Sequence, residues 1–317
     1  LFYYSIFPKF YYFFLNKQIR YLFDVFYLNK PIKLKEAIKF ISRKNLTSPL
    51  KLKIISKEKK NYKFNFSFIP YKDYVFLRDS HDVYKNFFDP KKIKNEKVWM
   101  GADSIMFLRF INEYLKTRSF NSVLEIGSGT GIVIGSISKK FKKCLAVDFN
   151  PKAVKLTSLN AKINLIDNLK CLKSDLFQKV NKKFDLIISN PWFVDLKKGG
   201  LEQAPKIIEK LRKYLNKNGR CLLIMNSYKK NGQDTLEKYL TNFLKKNNFD
   251  VNLYTNGISY EFDRKLDYKK YNIDYMISYN VEIITDGSGT LRKYDAPISR
   301  KIRDKFFKIF IFIYNIF

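Results

Sequence analysis

The sequence is short of several things, and each shortage closes a class of function. One histidine, His81, stands in 317 residues. It cannot complete a zinc site, and the three cysteines, Cys144, Cys171 and Cys221, lack the spacing of metal ligands. No metal is expected. Each cysteine falls at or in a stretch that reads as a buried strand, so they are expected as small core residues in a reducing compartment, the cytoplasm. Acidic residues are scarce too: 29 Asp and Glu stand against 61 Lys and Arg, a net charge of +32. Such a balance ordinarily suggests a polyanionic partner. Here only 11 of the 61 are Arg, the lysines are spread along the chain, and Phe, Tyr, Ile and Asn are abundant beside them. Compositional bias and solvated lysine faces account for the charge at least as well as a nucleic-acid footprint. Also absent is any run of about 18 uncharged apolar residues, the length a spanning helix needs. The first residue is Leu1, not Met, which leaves the natural start open.

What is present is a hydrophobic content of 46%, which fits a globular chain long enough for two domains. The centre of the argument is Val123-Leu124-Glu125-Ile126-Gly127-Ser128-Gly129-Thr130-Gly131. It reads as a buried strand over 122–126, a glycine turn, and a helix from 132 to about 141. Alternate glycines let the backbone turn sharply and approach a ligand closely. The helix that follows turns its free N–H groups toward whatever sits over the turn. The register is not the dinucleotide one, because Ile132 stands where its third glycine would fall. Glu125, two residues before the first glycine, repels a pyrophosphate and suits a zwitterionic or cationic ligand.

This stretch resembles the first motif, E/D-x-G-x-G-x-G, of the class I S-adenosylmethionine (SAM)-dependent methyltransferases. The resemblance implies SAM as cofactor, with Glu125, Ile126, Gly127, Ser128, Gly129, Thr130 and Gly131 around it. A second strand over 143–148 ends in Asp148, about 20 residues past the first glycine, where an acidic residue holds two ribose hydroxyls. The alternative for Asp148 is an N-cap of the helix that Pro151 opens. Phe149 and Asn150 would then lie near the adenine edge. A third strand over 169–174 ends at Asp175, followed by Leu176. In the family an acidic residue here accepts a hydrogen bond from the adenine amino group; a plain turn carboxylate is the other reading.

The apolar strand 184–189 is of the kind found inside a parallel sheet. It runs into Asn190-Pro191-Trp192-Phe193, which resembles the N/D-P-P-Y/F/W motif of methyltransferases acting on planar nitrogens. Such a nitrogen has its lone pair delocalised. An Asn oxygen and the following backbone carbonyl can accept both N–H hydrogens and turn the lone pair to the methyl group, while an aromatic ring stacks on the target. Positioning then supplies most of the rate. The second proline of the motif is absent. Either Trp192 replaces it and Phe193 is the stacking ring, or a proline is deleted and Trp192 is the ring. An ordinary strand-to-loop turn is the bland alternative.

Further strands are expected over 220–226, 251–255 and 275–284, with helices from about 200 to 215 and 233 to 247. The resemblance therefore covers 98–284 and implies an α/β, Rossmann-like sheet of seven strands, the last antiparallel. It comes nearest to the release-factor glutamine methyltransferase branch. Before it, residues 1–97 read as a small α+β module, winged-helix-like in outline, for handling substrate. An aromatic segment opens it over 1–30. A helix runs over 32–42 from Pro31, strands fall at 62–68 and 74–77, and a linker covers 89–97. Asp103 is expected as the N-cap of a helix to about 115, whose start in several family members borders the SAM pocket. Residues 285–317 form a C-terminal extension. Its Asp286-Gly287-Ser288-Gly289-Thr290 is read as a hairpin or exposed turn, not a second cofactor loop.

The expected function is methyl transfer to a planar nitrogen, with a protein glutamine amide, release-factor-like, as target. An RNA or DNA base amine is the first alternative. A non-catalytic SAM-binding scaffold and a small-molecule methyltransferase are the others. Membrane contact through the terminal aromatic segments ranks below packing against the protein.

Overall fold

Local chemistry decides where the first elements begin. The computed structural model describes residues 16–40, 50–51, 53–79, 98, 100–191, 201, 203–260 and 273–295. Helix α1 (Lys17–Leu22) is capped by Asn16, whose side chain accepts from the Ile19 N–H, and a π-helical turn follows over Phe23–Tyr27. The helix expected from Ile32 starts later. Strand β1 (Ile32–Lys33) precedes α2 (Leu34–Phe40), because the Glu36 carboxylate reaches back to the Lys33 N–H at 2.9 Å. That is one half of a capping box.

The alternating aromatics of 62–68 do not make one strand. They divide into β3 (Asn61–Phe64) and β4 (Phe66–Tyr71), and the buried phase shifts from Tyr62 and Phe64 to Ser67 and Ile69. Asn65 sits at the break. Its amide donates to the Lys53 carbonyl at 2.8 Å, and its oxygen accepts from Ser56 Oγ at 3.0 Å. With β2 (Ile55–Glu58) the first sheet has the order β1-β3-β2, all antiparallel. Strand β5 (Tyr74–Asp79) pairs with β4 as a separate hairpin. The expected linker, Trp99, Trp192, Phe193, Gly199, Gly200 and the C-terminal tail lie outside the described residues.

From there the chain alternates between helices and strands. The elements are α3 (Ala102–Tyr114), β6 (Ser122–Ile126), α4 (Ile132–Ile137), β7 (Lys143–Asp148), α5 (Pro151–Ile163), β8 (Leu169–Lys173) and β9 (Phe184–Ser189). Then come α6 (Ala204–Ile208), α7 (Leu211–Tyr214), β10 (Leu215–Lys230), β11 (Gln233–Asp234), α8 (Thr235–Leu244), β12 (Asp250–Tyr260), β13 (Tyr275–Ile284) and β14 (Leu291–Tyr294). Asp103 lies inside the first turn of α3 and is not its cap. The helix expected over 200–215 is two short ones, broken at Glu209 and Lys210, that together bury Ile207, Ile208 and Leu211.

Two compact units result. The first draws on Leu1–Leu108, Ser128–Lys139 and Cys144–Lys179, the second on Arg109–Gly127, Lys140–Lys143 and Val180–Phe317. In the first, β7 and β8 pair in parallel, and Leu77 and Val98 pack with Ala153 and Leu156 of α5. In the second, the strand order is β14-β12-β13-β10-β9-β6, with β11 on β10. Here β6, β9, β10 and β12 share one direction and β13 runs against its neighbours. The seven expected strands are all present, and the fold is α/β with a mostly parallel sheet.

Two further expectations change. Of the two readings of 286–290 the hairpin falls away and the turn, with Asp286 and Ser288 exposed, remains: it carries the chain from β13 past β12 to its far side, where β14 pairs with β12 in parallel. Cys144 and Cys221 are buried, and burial pushes the Cys144 thiol up to about 12, but Cys171 is only half-buried. All three are free thiols.

Candidate active site

In the first unit the glycine loop is held by its carbonyls and by one carboxylate. Asp148, 7% exposed at the end of β7, accepts from the Gly129 N–H and the Asn150 N–H, each at 2.9 Å. Burial raises its pKa, and the two backbone bonds pull against that rise. The cap of α5 is Asn150, whose side chain accepts from the Lys152 N–H at 2.9 Å, so the N-cap alternative for Asp148 falls away. Phe149 between them is 65% exposed. From α5, Thr157 Oγ1 donates to the Gly129 carbonyl at 3.1 Å, and Asn160 Nδ2 donates to the Thr130 carbonyl at 2.8 Å. Gly131 has φ +73°, and a Cβ there would stand 2.6 Å from Thr157 Cγ2, so the position admits glycine alone. The Thr130 hydroxyl is buried and has no hydrogen-bond partner. The Ser174 N–H donates to the Asp148 carbonyl at 3.0 Å, which sets the next turn beside Asp148. In that turn Asp175 is exposed, and Leu176 has φ +46°.

In the second unit, β6 and β9 lie in register with Glu125 opposite Ile188 and Ile126 opposite Ser189. Ser189 Oγ donates to the Ile126 carbonyl at 2.7 Å. Gly127 and Asn190 thus leave adjacent parallel strands side by side. Glu125 is buried at 2% exposure, Pro191 is buried and Asn190 half-buried. Gly127 has φ +73° with open space where its side chain would be. Alternation places Glu125, Leu222, Ile224 and Asn226 on one face, and antiparallel pairing adds Ser278, opposite Asn226, and Asn280, opposite Ile224. Asn280 Nδ2 donates to Asn256 Oδ1, and Asn256 Nδ2 donates to Ser278 Oγ. These neutral polar residues, with Thr157 and Asn160, were missed in the sequence. The one signal was polar residues at alternate positions in an apolar strand, Ser278 and Asn280, and asparagines four apart in a helix, Asn160 and Asn164.

The comparisons with known proteins bear on this geometry. The family described as methyltransferase small domain matches residues 107–252. A Methanocaldococcus jannaschii protein, provisionally named protein N5-glutamine methyltransferase, is 36% identical over 179 residues, 51% of this chain and 85% of that one. The chain belongs to the class I SAM-dependent methyltransferases. A release factor glutamine methyltransferase of Fusobacterium nucleatum is 38% identical over 109 residues, 33% of this methyltransferase and 31% of the relative, so the likeness spans about a third of that enzyme. Among solved structures, the M. jannaschii tRNA m1G37 methyltransferase aligns at 17% identity and a TM-score of 0.47, over 70% of this chain and 57% of that one.

SAM is the methyl donor. In the first unit the Thr130 hydroxyl is buried and unsatisfied and Asp148 is already oriented by two N–H groups; in the second, Gly127 has open space where a side chain would be. No helix among the described residues is long and apolar enough to cross a membrane.

Proposed function

We propose that this methyltransferase modifies a glutamine amide nitrogen in a protein substrate. The observation that carries the reading is Asn190-Pro191 leaving β9 beside Gly127, where the Ser189 hydroxyl ties the two strands together. The glutamine-modifying names of its relatives support the same target. Bound SAM supplies an electrophilic methyl group whose transfer leaves a neutral thioether. Asn190 Oδ1 and the Pro191 carbonyl accept the two N–H hydrogens of the amide. That would turn the nitrogen lone pair toward the methyl group that SAM supplies when bound, and one N–H proton would pass to water. No strong base is needed, and orientation carries the rate. Trp192 or Phe193 stacks on the planar amide. Glu125 would serve the amino end of SAM, Asp148 the ribose hydroxyls, Phe149 and Asn150 the adenine edge, and Asp175 with Leu176 the adenine amino group. Residues 1–97 act as the substrate module, 98–284 as the methyltransferase domain and 285–317 as an extension. The free cysteines suit a cytoplasmic setting.

The test is transfer of labelled methyl from SAM to a purified release factor. Asn190→Ala is expected to lower kcat by about a hundredfold, roughly 2.7 kcal/mol of transition-state stabilisation, while SAM affinity in calorimetry stays put. An unchanged rate would remove Asn190 from the chemistry, and SAM binding without any transfer by the wild type would leave only a SAM-binding scaffold. The net charge of +32 would favour a second target, a nucleic-acid base amine, were the lysines not spread along the whole chain. Labelling that a cell lysate loses to ribonuclease and keeps under protease would replace the first reading with that one.

A further inference from the structure

Among the described residues the edge of β5 that faces away from β4 pairs with no strand, and two side chains, one in α5 and one at its C-cap, take the place of one. Asn160 Oδ1 accepts from the Leu77 N–H at 2.8 Å, and Asn160 Nδ2 donates to the Leu77 carbonyl at 2.9 Å. One helical turn on, Asn164 does the same for Val75, at 2.8 Å and 2.9 Å. The spacing is what makes this work. Four helical residues advance about 6 Å, and two strand residues advance about 6.7 Å, so amides at i and i+4 of a helix meet alternate backbone groups of a strand. Asparagine is a poor helix former, and here both side-chain amides serve the strand, while Asn164, the C-cap of α5, also donates to the Asn160 carbonyl at 2.8 Å.

Asn160 does one thing more. Its second amide hydrogen goes to the Thr130 carbonyl at 2.8 Å, inside the glycine loop. At 1% exposure it has no water to fall back on. One buried side chain thus holds the N-terminal hairpin and the cofactor loop together, with all three partners in the first compact unit. Neighbouring contacts run along the same line. Lys152 of α5 pairs with Asp79 of β5 at 2.6 Å, and a Cβ on Gly135 of α4 would stand 3.0 Å from the Phe76 ring. The Thr130 hydroxyl, next to the carbonyl that Asn160 holds, is buried and without a partner.

We infer that Asn160 is a positioning residue that couples SAM binding at the glycine loop to docking of the β4–β5 hairpin. A loop shape that favours SAM keeps the Thr130 carbonyl on Asn160, which fixes the Asn160 amide plane against Leu77. Docked hairpin and bound SAM therefore stabilise each other, and by linkage the effect has the same size in both directions. The hairpin belongs to the segment read as the substrate module, so cofactor loading readies that segment for substrate.

The experiment is hydrogen exchange of the full chain with and without saturating SAM, followed at the Val75 and Leu77 amides, beside calorimetric SAM affinity. In the wild type, SAM is expected to slow exchange at both amides by roughly tenfold, inside the usual 5- to 150-fold range for coupled sites. Asn160→Ala is expected to abolish that protection and to weaken SAM binding by a similar factor. Asn164→Ala, which removes bonds to Val75 but none to the loop, should speed exchange at Val75 and leave SAM affinity within about twofold. A residue that merely holds the fold together would raise exchange in Asn160→Ala without making SAM-free and SAM-bound rates alike. The proposal is overturned if SAM leaves Val75 and Leu77 unprotected in the wild type, a result that does not depend on whether any variant folds. It is equally overturned if Asn160→Ala keeps the SAM-induced protection.

Discussion

The glycine loop and the far edge of the second unit both bury polar side chains, and they use them in opposite ways. Around the loop, side chains address backbone: Asp148 takes the Gly129 and Asn150 N–H groups, Thr157 the Gly129 carbonyl and Asn160 the Thr130 carbonyl. On β12 and β13, side chains address one another. Glu282, 2% exposed, accepts from Tyr114 at 2.6 Å, Asn252 at 2.9 Å and Tyr254 at 3.1 Å, and lies 3.7 Å from the Arg220 guanidinium. Asp234 and Tyr279 form a second such group with Ser227 and Glu237, and Asp234 also caps α8 by accepting from the Leu236 and Glu237 N–H groups. Bonds to backbone fix the shape of a loop and so serve a ligand. Bonds between side chains on different strands fix which strands meet and how a buried charge is carried, and so serve the fold. Breaking the one should cost binding, and breaking the other should cost stability.

The largest effect is expected on the second side. Glu282→Ala strips the acceptor from two buried donors, Tyr114 and Asn252, and from half-buried Tyr254, and the counter-charge from Arg220. Loss of one member of such a group costs about 3 kcal/mol of unfolding free energy. Denaturant unfolding should show a lower midpoint with SAM affinity unchanged. A loss of SAM affinity with intact stability would dissolve the contrast.

Next comes Asp148→Ala. It releases the Gly129 and Asn150 N–H groups and removes the carboxylate assigned to the ribose, so SAM affinity should fall by one to a few kcal/mol, roughly the value of a lost charge-assisted pair. Folding should suffer less than binding, because burial already makes the Asp148 charge costly to hold. Calorimetry beside thermal unfolding separates the two. Unchanged affinity would move the ribose role to another carboxylate.

The same contrast explains what could be read from the chain. The residues proposed for the SAM site from Glu125 to Asp148 sit within 24 positions of one another, on elements whose periodicity and turn residues are local signals. Strands 122–126, 143–148, 184–189 and 275–284 were legible to the residue for that reason. Tyr114 and Glu282 are 168 positions apart, and no local pattern pairs them. The single strand expected over 62–68 failed because alternation continues through Asn65 in the sequence while three hydrogen bonds turn the backbone there. The two helices in place of one over 200–215 had no sequence signal. Asn160 was passed over because a polar residue in an amphipathic helix ordinarily faces water.

The smallest expected effect lies at the edge strand, where side chain and backbone meet on the second unit. Asp250 Oδ1 accepts from the Ser288 N–H at 2.8 Å and the Thr290 N–H at 3.0 Å, which ties the turn before β14 to the start of β12. The Thr290 bond leads in lowering the Asp250 pKa; partial burial opposes it, and the Ser288 bonds and Arg292 add to the lowering. A folded pKa below the unfolded value of about 3.9 means that the ionised form favours the tied turn. Its contribution is therefore full above about pH 4 and is lost as pH falls through the depressed value. Hydrogen exchange at Ser288, Thr290 and β14 should stay flat from neutral pH down to about 5, after correction for intrinsic rates, and then rise ahead of β13 on further acidification. Asp250→Ala should give the open edge at neutral pH and remove the acid step. If β13 and β14 open together at the same pH, the edge is held by the sheet as a whole and this carboxylate, unlike Asp148, holds no loop of its own.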